Sequence, residues 1–461
     1  MTEVGRPKVD DERTLRTLKK MRKHILYFIA LLPFMASCSD DIFSNPQGSI
    51  TMSGVEVTLE GSDNMEGLDV QLRNISTNSI FTQTTDTEGR TIFKVPPGTY
   101  EVTASGKRAE EGIAYTYNGT SGLVVVRSNE PSSVVIAMKS AQVSQIVVKE
   151  IYVGGCMRDD GVTTFQFDKC IILYNNSDQR ANVSNLCIAQ SAPANGHSNN
   201  KNYNADGKLT YESEGFIPVW NGLFYFPSAL EIEPYSQVVV NLNGAIDNTL
   251  TISQSVNYAH PDYYCAYDPE SGYDNTSYYP TPSSVIPTSH YLKALRLGLG
   301  NALPISVSAP ALVLFQVKDT DPVTYATKIE NQWYDGAVAQ VNICAKVPNN
   351  WIMDGIEVFS ALHKTDSKKR LTADIDAGYV WFTNYQGHVL YRNVDKEATE
   401  ALPENDGLLV YQYSLGVDDS TDPSGIDAEA SMKNGAHIIF QDTNNSTNDF
   451  HERQECSLRR N

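Results

Sequence analysis

The sequence predicts an all-β protein of two β-sandwich domains, the second larger and bearing long loops, behind a short presequence. Three observations predict it. Runs that alternate apolar and polar residues recur at intervals near ten residues, with Gly, Pro, Asn and Asp between them, which is the pattern of antiparallel sandwich strands. Beyond residue 37 the chain still has 424 residues, too many for one ordinary domain, and its strand pattern restarts at Ser144. Helical periodicity is confined to brief stretches such as "NVDKEATE" at 393–400.

At the start, Lys19, Lys20, Arg22, Lys23 and His24 form a basic block, and the apolar run of twelve residues from Ile25 to Ala36 follows it. Twelve residues suit a signal-peptide core and are too few to span a bilayer. Met21 lies inside the basic block, so residues 1–20 read as an extension from an upstream start, with Met1 and Met21 both left open as the start. Met35-Ala36-Ser37-Cys38 resembles a bacterial lipobox, with Met35 in place of the usual leucine. The resemblance implies cleavage after residue 37 and a diacylglycerol and acyl (palmitate-type) modification on Cys38, which would hold the protein on a membrane without crossing it. Ser39-Asp40-Asp41 resembles the export signal of surface lipoproteins of the Bacteroidota, which implies the outer face of the outer membrane. Residues 38–49 have the polar composition of a tether.

Residues 50–140 hold the first set of strands: "VEVTLEG", "LDVQLRN", "SIFTQTT", "RTIFKV", "TYEVTAS", "GLVVVR" and "SVVIAMK". Thr85-Asp86-Thr87-Glu88-Gly89-Arg90-Thr91-Ile92-Phe93, followed by Val95-Pro96-Pro97-Gly98-Thr99-Tyr100-Glu101-Val102, resembles the carboxypeptidase-regulatory, prealbumin-like domain. That resemblance implies Gly89 in a tight turn, Pro97-Gly98 in the next hairpin, and a spacer or docking module without a catalytic site.

Residues 144–461 form the larger domain. "SQIVVKEIYVGG" is a strand ending in glycines, and Ile171-Ile172-Leu173-Tyr174-Asn175-Asn176-Ser177 with Val183-Ser184-Asn185-Leu186 is similar to the opening of a lamin-tail-type, immunoglobulin-like sandwich. Further strands are expected at 237–243, 311–318, 355–362, 407–414 and 436–442. "VIPTSHYLKAL", "APALVLFQV", "YRNVDKEATEALPENDG" and "PSGIDAEASMKNGAHIIFQDTNNSTNDF" resemble an uncharacterised Bacteroidota surface-lipoprotein family, a domain of unknown function. That resemblance implies an address and an architecture, with an outer-membrane uptake system as its context.

Charge and cysteines bound the chemistry. The chain carries 36 Lys/Arg against 55 Asp/Glu, and removing residues 1–37, with eight and four of these, leaves 23 net negative charges. Nucleic acid is therefore not an expected partner. Cys170, Cys187 and Cys344 read as small core hydrophobes, while a disulfide from Cys156 to Cys265 or Cys456 is left open. No HExxH, GxSxG, P-loop or GxGxxG is present, and His260, His290, His388 and His437 sit beside apolar or aromatic residues, so no enzyme is expected. Asp395, Glu397 and Glu400 read as the solvated face of a short helix.

Two stretches have binding chemistry. Residues 258–280 place seven tyrosines in 23 positions: Tyr258, Tyr263, Tyr264, Tyr267, Tyr273, Tyr278 and Tyr279. Tyrosine combines a flat apolar face with a hydroxyl tip, suited to sugar rings or a protein surface, and also to pinning a loop onto a sandwich. In "DTNNSTND", Asp442, Asn444 and Asp449 offer oxygen ligands of the kind calcium takes, with side chains capping their own turn as the other reading. The expectation is a surface lipoprotein with a non-catalytic binding or docking role, capturing a glycan or small ligand for an outer-membrane transporter. An adhesin or a structural subunit of a surface assembly is the alternative.

Overall fold

In the computed structural model, residues 52–61, 64–110, 113–198 and 200–460 are described. The presequence, Cys38 and the tether lie outside them. The chain divides into units 1–50 and Thr51–Asn461, and everything below concerns the second.

Alternation along Ser53–Glu60 buries every second side chain, so Val55, Val57 and Leu59 form one wall of a first core. This strand lies between Arg90–Val95, antiparallel, and Ser132–Ala137, parallel. A five-stranded sheet faces it, in the order Ile80–Thr84, Asp69–Asn74, Gly98–Glu110, Ile113–Val126 and Lys139–Gln142. Val70, Leu72, Phe93, Tyr100 and Val102 fill the space between the two sheets. Gly89 has φ +71°, and its N–H donates to Asp86 O at 2.9 Å, as the turn requires. Pro97-Gly98 does not make a hairpin. The strands on either side of it belong to different sheets, so the pair carries the chain across the sandwich, with Tyr100 Oη donating to Pro96 O at 2.8 Å.

The larger region is built on a twelve-stranded ribbon. Its strands run, in spatial order, Val380–Phe382, Ile352–Ser360, Ala311–Gln316, Leu186–Gln190, Gly222–Tyr225, Tyr291–Arg296, Tyr264–Ala266, Gln237–Asn243, Lys169–Asn175, Ile146–Tyr152, Val389–Arg392 and Phe450–Arg453. The ribbon folds on itself, so that its first and last strands lie against each other and Thr383 N–H donates to Glu452 Oε1 at 2.7 Å. Ile171, Leu173, Ile188, Leu314, Ile356 and Leu390 meet inside the fold. All seven residues of both Ile146–Tyr152 and Lys169–Asn175 are buried, because loops and later segments cover the ribbon's outer side there. A smaller sheet of Phe216–Trp220, Ile343–Pro348 and Gln332–Tyr334 encloses a second core with Cys187, Val313 and Phe315.

Buried ion pairs stitch these layers. Arg370 and Glu357 are both fully buried, and the Glu357 carboxylate accepts from Arg370 Nε at 2.8 Å and Nη2 at 2.6 Å, and from the backbone N–H groups of Arg370 and Leu371. Arg392 pairs with Asp354, and Lys149 with Glu429.

Two expected strands are not ladder strands. Residues 407–414 and 436–442 make only isolated bridges, Tyr411 to Ile426 and Phe440 to Val394. Ile438 and Phe440 are fully buried as expected, yet side chains share in satisfying this backbone: Tyr174 Oη donates to Ile438 O, and Asn176 Oδ1 accepts from Phe440 N–H, while Asp395 N–H donates to Ile439 O and Gln441 N–H to Asn393 O. Among the described residues, no helix is long and apolar enough to cross a membrane.

Candidate functional site

The two regions meet along the outer face of the five-stranded sheet. The Arg73 guanidinium sits 4.3 Å from the Trp381 ring centroid and 5.3 Å from that of Tyr379. Asn118 Nδ2 donates to Thr443 O at 2.5 Å, and Asn444 Nδ2 to Thr116 Oγ1 at 2.6 Å. Lys139 reaches Glu212 at 3.4 Å and Asp374 at 3.2 Å. Burial raises Glu101 above the ordinary carboxylate range, although Lys369, Arg73 and Tyr379 pull the other way.

A cleft of about 440 Å³ opens at this junction. Ser140 comes from the first region. Lys318, Asn349, Asn350, Ile352, Met353, Asp354, Asp374 and Asn444 come from the second. The turn Asn349–Trp351 leads directly into the strand Ile352–Ser360, so backbone geometry presents the carboxamides beside the apolar wall of Ile352 and Met353. Asn349 Nδ2 donates to Asp374 Oδ2 at 2.8 Å, while Asn349 Oδ1 is shut off from solvent without a hydrogen-bond partner. Lys318 Nζ donates to Asn350 O at 2.8 Å. Burial works to raise Asp374, but hydrogen bonds from Thr372 and Asn349 and the charge of Lys139 outweigh it and hold this carboxyl below its ordinary value. Burial pushes Asp354 up, against the attraction of Arg392. The lining thus offers carboxamides, the Asp354 and Asp374 carboxylates, one exposed ammonium and a small apolar patch, and it contains no histidine or cysteine.

The tyrosine-rich loop is placed differently from a contact surface. Tyr258, Tyr273 and Tyr279 are buried, and Tyr263, Tyr264, Tyr267 and Tyr278 pack half-buried against cores. Tyr273 Oη donates to Asn221 O and Tyr279 Oη to Leu303 O. Three of the seven rings cannot meet a ligand, since their faces are spent on holding 258–280 to the ribbon.

The segment 442–449 likewise serves the fold. Asp442 and Asp449 are buried and flank Arg392 at 3.4 and 3.8 Å, so the cation between them is a guanidinium. Asp449 also accepts from Thr443 and Asn445, Asn444 turns at φ +51° toward the first region, and Asn445 caps the helix Ser446–Asp449. The carboxylates of Asp442 and Asp449 are therefore committed to Arg392 and the turn, and no group of three or more His, Cys, Asp or Glu able to hold a metal occurs among the described residues. Asp395 caps the helix Lys396–Glu400, while Glu397 and Glu400 are exposed. Sequence reasoning missed the cleft. The adjacent carboxamides of Asn349-Asn350 were its one local signal.

One family model matches part of the chain. Residues 233–414 match the family model described as "Protein of unknown function (DUF4876)". The match is narrower than the 144–461 stretch whose motifs suggested a Bacteroidota family, and consistent with it. A DUF4876 family protein from Bacteroides thetaiotaomicron has a TM-score of 0.51 at 21% identity, over 89% of this chain and 97% of that one, a likeness of fold. A DUF3823 family protein from Parabacteroides merdae covers 31% of this chain and 67% of that chain at 11% identity, with a TM-score of 0.15. An adhesin candidate from Bacteroides ovatus covers 52% and 96% at 12% identity, with a TM-score of 0.18. These last two scores carry no argument about fold or role. Among curated proteins, none matches.

Proposed function

We propose that the protein is a lipoprotein of the outer membrane, facing the cell exterior, whose two β-regions form a non-catalytic binding module with its ligand site in the junction cleft. The observation that carries this reading is the cleft itself. It is walled by both regions, and it presents Asn349, Asn350, Asn444 and Lys318 beside Ile352 and Met353. Such a mixture suits a neutral, hydroxyl-rich ligand of the glycan class, since carboxamides both donate to and accept from hydroxyls while the apolar wall takes a ring face. The lipobox-like tetrad at Cys38 and the acidic tether motivate the address. An outer-membrane transporter is the partner implied, and affinity purification of the natively lipidated protein from its own membranes tests that: recovery alone would remove the transporter from the reading.

The site is tested by screening the protein against a glycan array and measuring the best ligand by calorimetry. Asn350 and Lys318 are exposed at the lip, so Asn350→Ala with Lys318→Ala should weaken binding about tenfold or more without altering the melting temperature. Unchanged affinity would sink the cleft as the site.

A protein-contact role has one observation of its own. Leu299, Val338 and Val341 are exposed on loops joined through Gln340 and Leu297. Concentration-dependent self-association in sedimentation would favour that role, and a strict monomer would count against a self-assembling subunit.

A further inference from the structure

Two cations share one indole at the junction of the two regions. Arg73, on the strand Asp69–Asn74, holds its guanidinium carbon 4.3 Å from the Trp381 ring centroid. Lys364, just past the turn Ala361–His363, holds its Nζ 4.0 Å from the same centroid. Among the described residues neither side chain makes an ion pair, and Arg73 Nη1 is shut off from solvent without a hydrogen-bond partner. Burial and the charge of Arg73 hold the Lys364 amine below its ordinary value, against the pull of Glu452, so the two cations feel each other.

The acids nearby are engaged elsewhere. Asp366 meets His363 Nδ1 at 3.1 Å, and Glu452 Oε1 meets His388 Nδ1 at 2.6 Å while accepting from Thr383 N–H at 2.7 Å. Glu101 stands directly across from Arg73 on the neighbouring strand, but burial raises its carboxyl above the ordinary range, which weakens it as a counter-ion. In a chain with 23 net negative charges beyond residue 37, two cations without a counter-ion on one ring stand out.

The geometry points to an oxyanion site at Arg73, Trp381 and Lys364, which takes the carboxylate or sulfate group of an acidic sugar. Lys364 is half-buried at the surface and meets the anion directly. Arg73, only 7% exposed, adds its charge at short range where little water screens it. Trp381 and Tyr379, both half-buried, offer flat apolar surface to the ring that carries the group. Two cations on a single indole concentrate charge at one point, which suits one oxyanion on one sugar, whereas an acidic peptide spreads its carboxylates along a backbone. None of the three residues lines the junction cleft, so this site stands or falls apart from it.

The test is calorimetry of the full chain at low ionic strength with three probes. An oligogalacturonate carries carboxylates, a carrageenan oligosaccharide carries sulfates, and a galacto-oligosaccharide is neutral. At least one acidic probe should bind, its substituent naming the anion, and added salt should weaken that binding. Lys364→Ala should lower the affinity about tenfold or more with the melting temperature unchanged, and Lys364→Arg should keep most of it. Any binding of the neutral probe belongs to the cleft and should be indifferent to Lys364→Ala. No binding of either acidic probe, or an affinity unchanged in Lys364→Ala, would overturn the site. Equal affinity for polyglutamate or for inorganic sulfate would overturn the sugar as its ligand.

Discussion

Replacing Glu357 with glutamine should destabilise the larger region severely. The carboxylate and Arg370 are both completely buried, and each carboxylate oxygen accepts two hydrogen bonds: Oε1 from Arg370 Nε and Nη2, Oε2 from the N–H groups of Arg370 and Leu371. In either orientation an amide turns its NH2 toward two of those four donors. Two hydrogen bonds to a charged group are lost, at about 1.5–3 kcal/mol each. The guanidinium keeps its acceptors Ala309 O at 2.8 Å and Pro193 O at 3.0 Å, but its buried charge has no counter-ion left. Removing one partner of a buried pair costs about 3–5 kcal/mol, which agrees with the hydrogen-bond count. That is a large part of the roughly 5–15 kcal/mol a native protein has in hand. Urea unfolding followed by tryptophan fluorescence would measure it, with Glu357→Leu/Arg370→Met as a control expected to recover much of the loss because no lone charge remains. A loss below about 1 kcal/mol in Glu357→Gln would refute the reasoning.

Acid sensitivity should have a histidine component. Burial, with Arg453 alongside, lowers His451 from 6.5 to about 3, and the neutral ring bridges Asn393 Oδ1 at 2.7 Å and the Tyr413 hydroxyl at 2.6 Å. Below 6.5 the unfolded chain takes up a proton that the folded one refuses, so this contribution to stability is lost as pH falls from 6.5 towards about 3. His451→Gln should flatten the stability profile over that window, and a slope identical to the wild type would contradict the assignment. The tyrosines offer a paired comparison by thermal denaturation. Tyr258 Oη is buried without a partner, so Tyr258→Phe should be neutral or stabilising, whereas Tyr174→Phe should lose about 1 kcal/mol with its 2.8 Å bond to Ile438 O. A larger loss in Tyr258→Phe than in Tyr174→Phe would be inconsistent with this structure.

Period-two alternation was enough to read the sandwich, because strands such as Ser53–Glu60 bury one face and expose the other. Where alternation failed, the cause is local. Residues 436–442 have the composition of a buried strand and bury Ile438 and Phe440, but the side chains of Tyr174, Asn176 and Thr399 take several of their backbone groups in place of a continuous ladder, and nothing nearby in sequence announces partners so distant. The chemistry of 442–449 was legible, while the cation it serves, Arg392, lies fifty positions upstream. The tyrosine loop posed a choice between core and surface that composition leaves open, and the structure gives most of its rings to packing. The cleft is gathered from five separate stretches of chain, so no window of sequence contains it.

The closure of the twelve-stranded ribbon bears on how many copies can be crowded side by side. An open sheet offers bare N–H and C=O groups on which another chain can template, and fibrils grow from such borders. Here the terminal strands, Val380–Phe382 and Phe450–Arg453, are three and four residues long and shield each other. The larger region can therefore be displayed at high density with little invitation to fibrillise. The border strand Ile80–Thr84 of the smaller region, by contrast, is largely exposed.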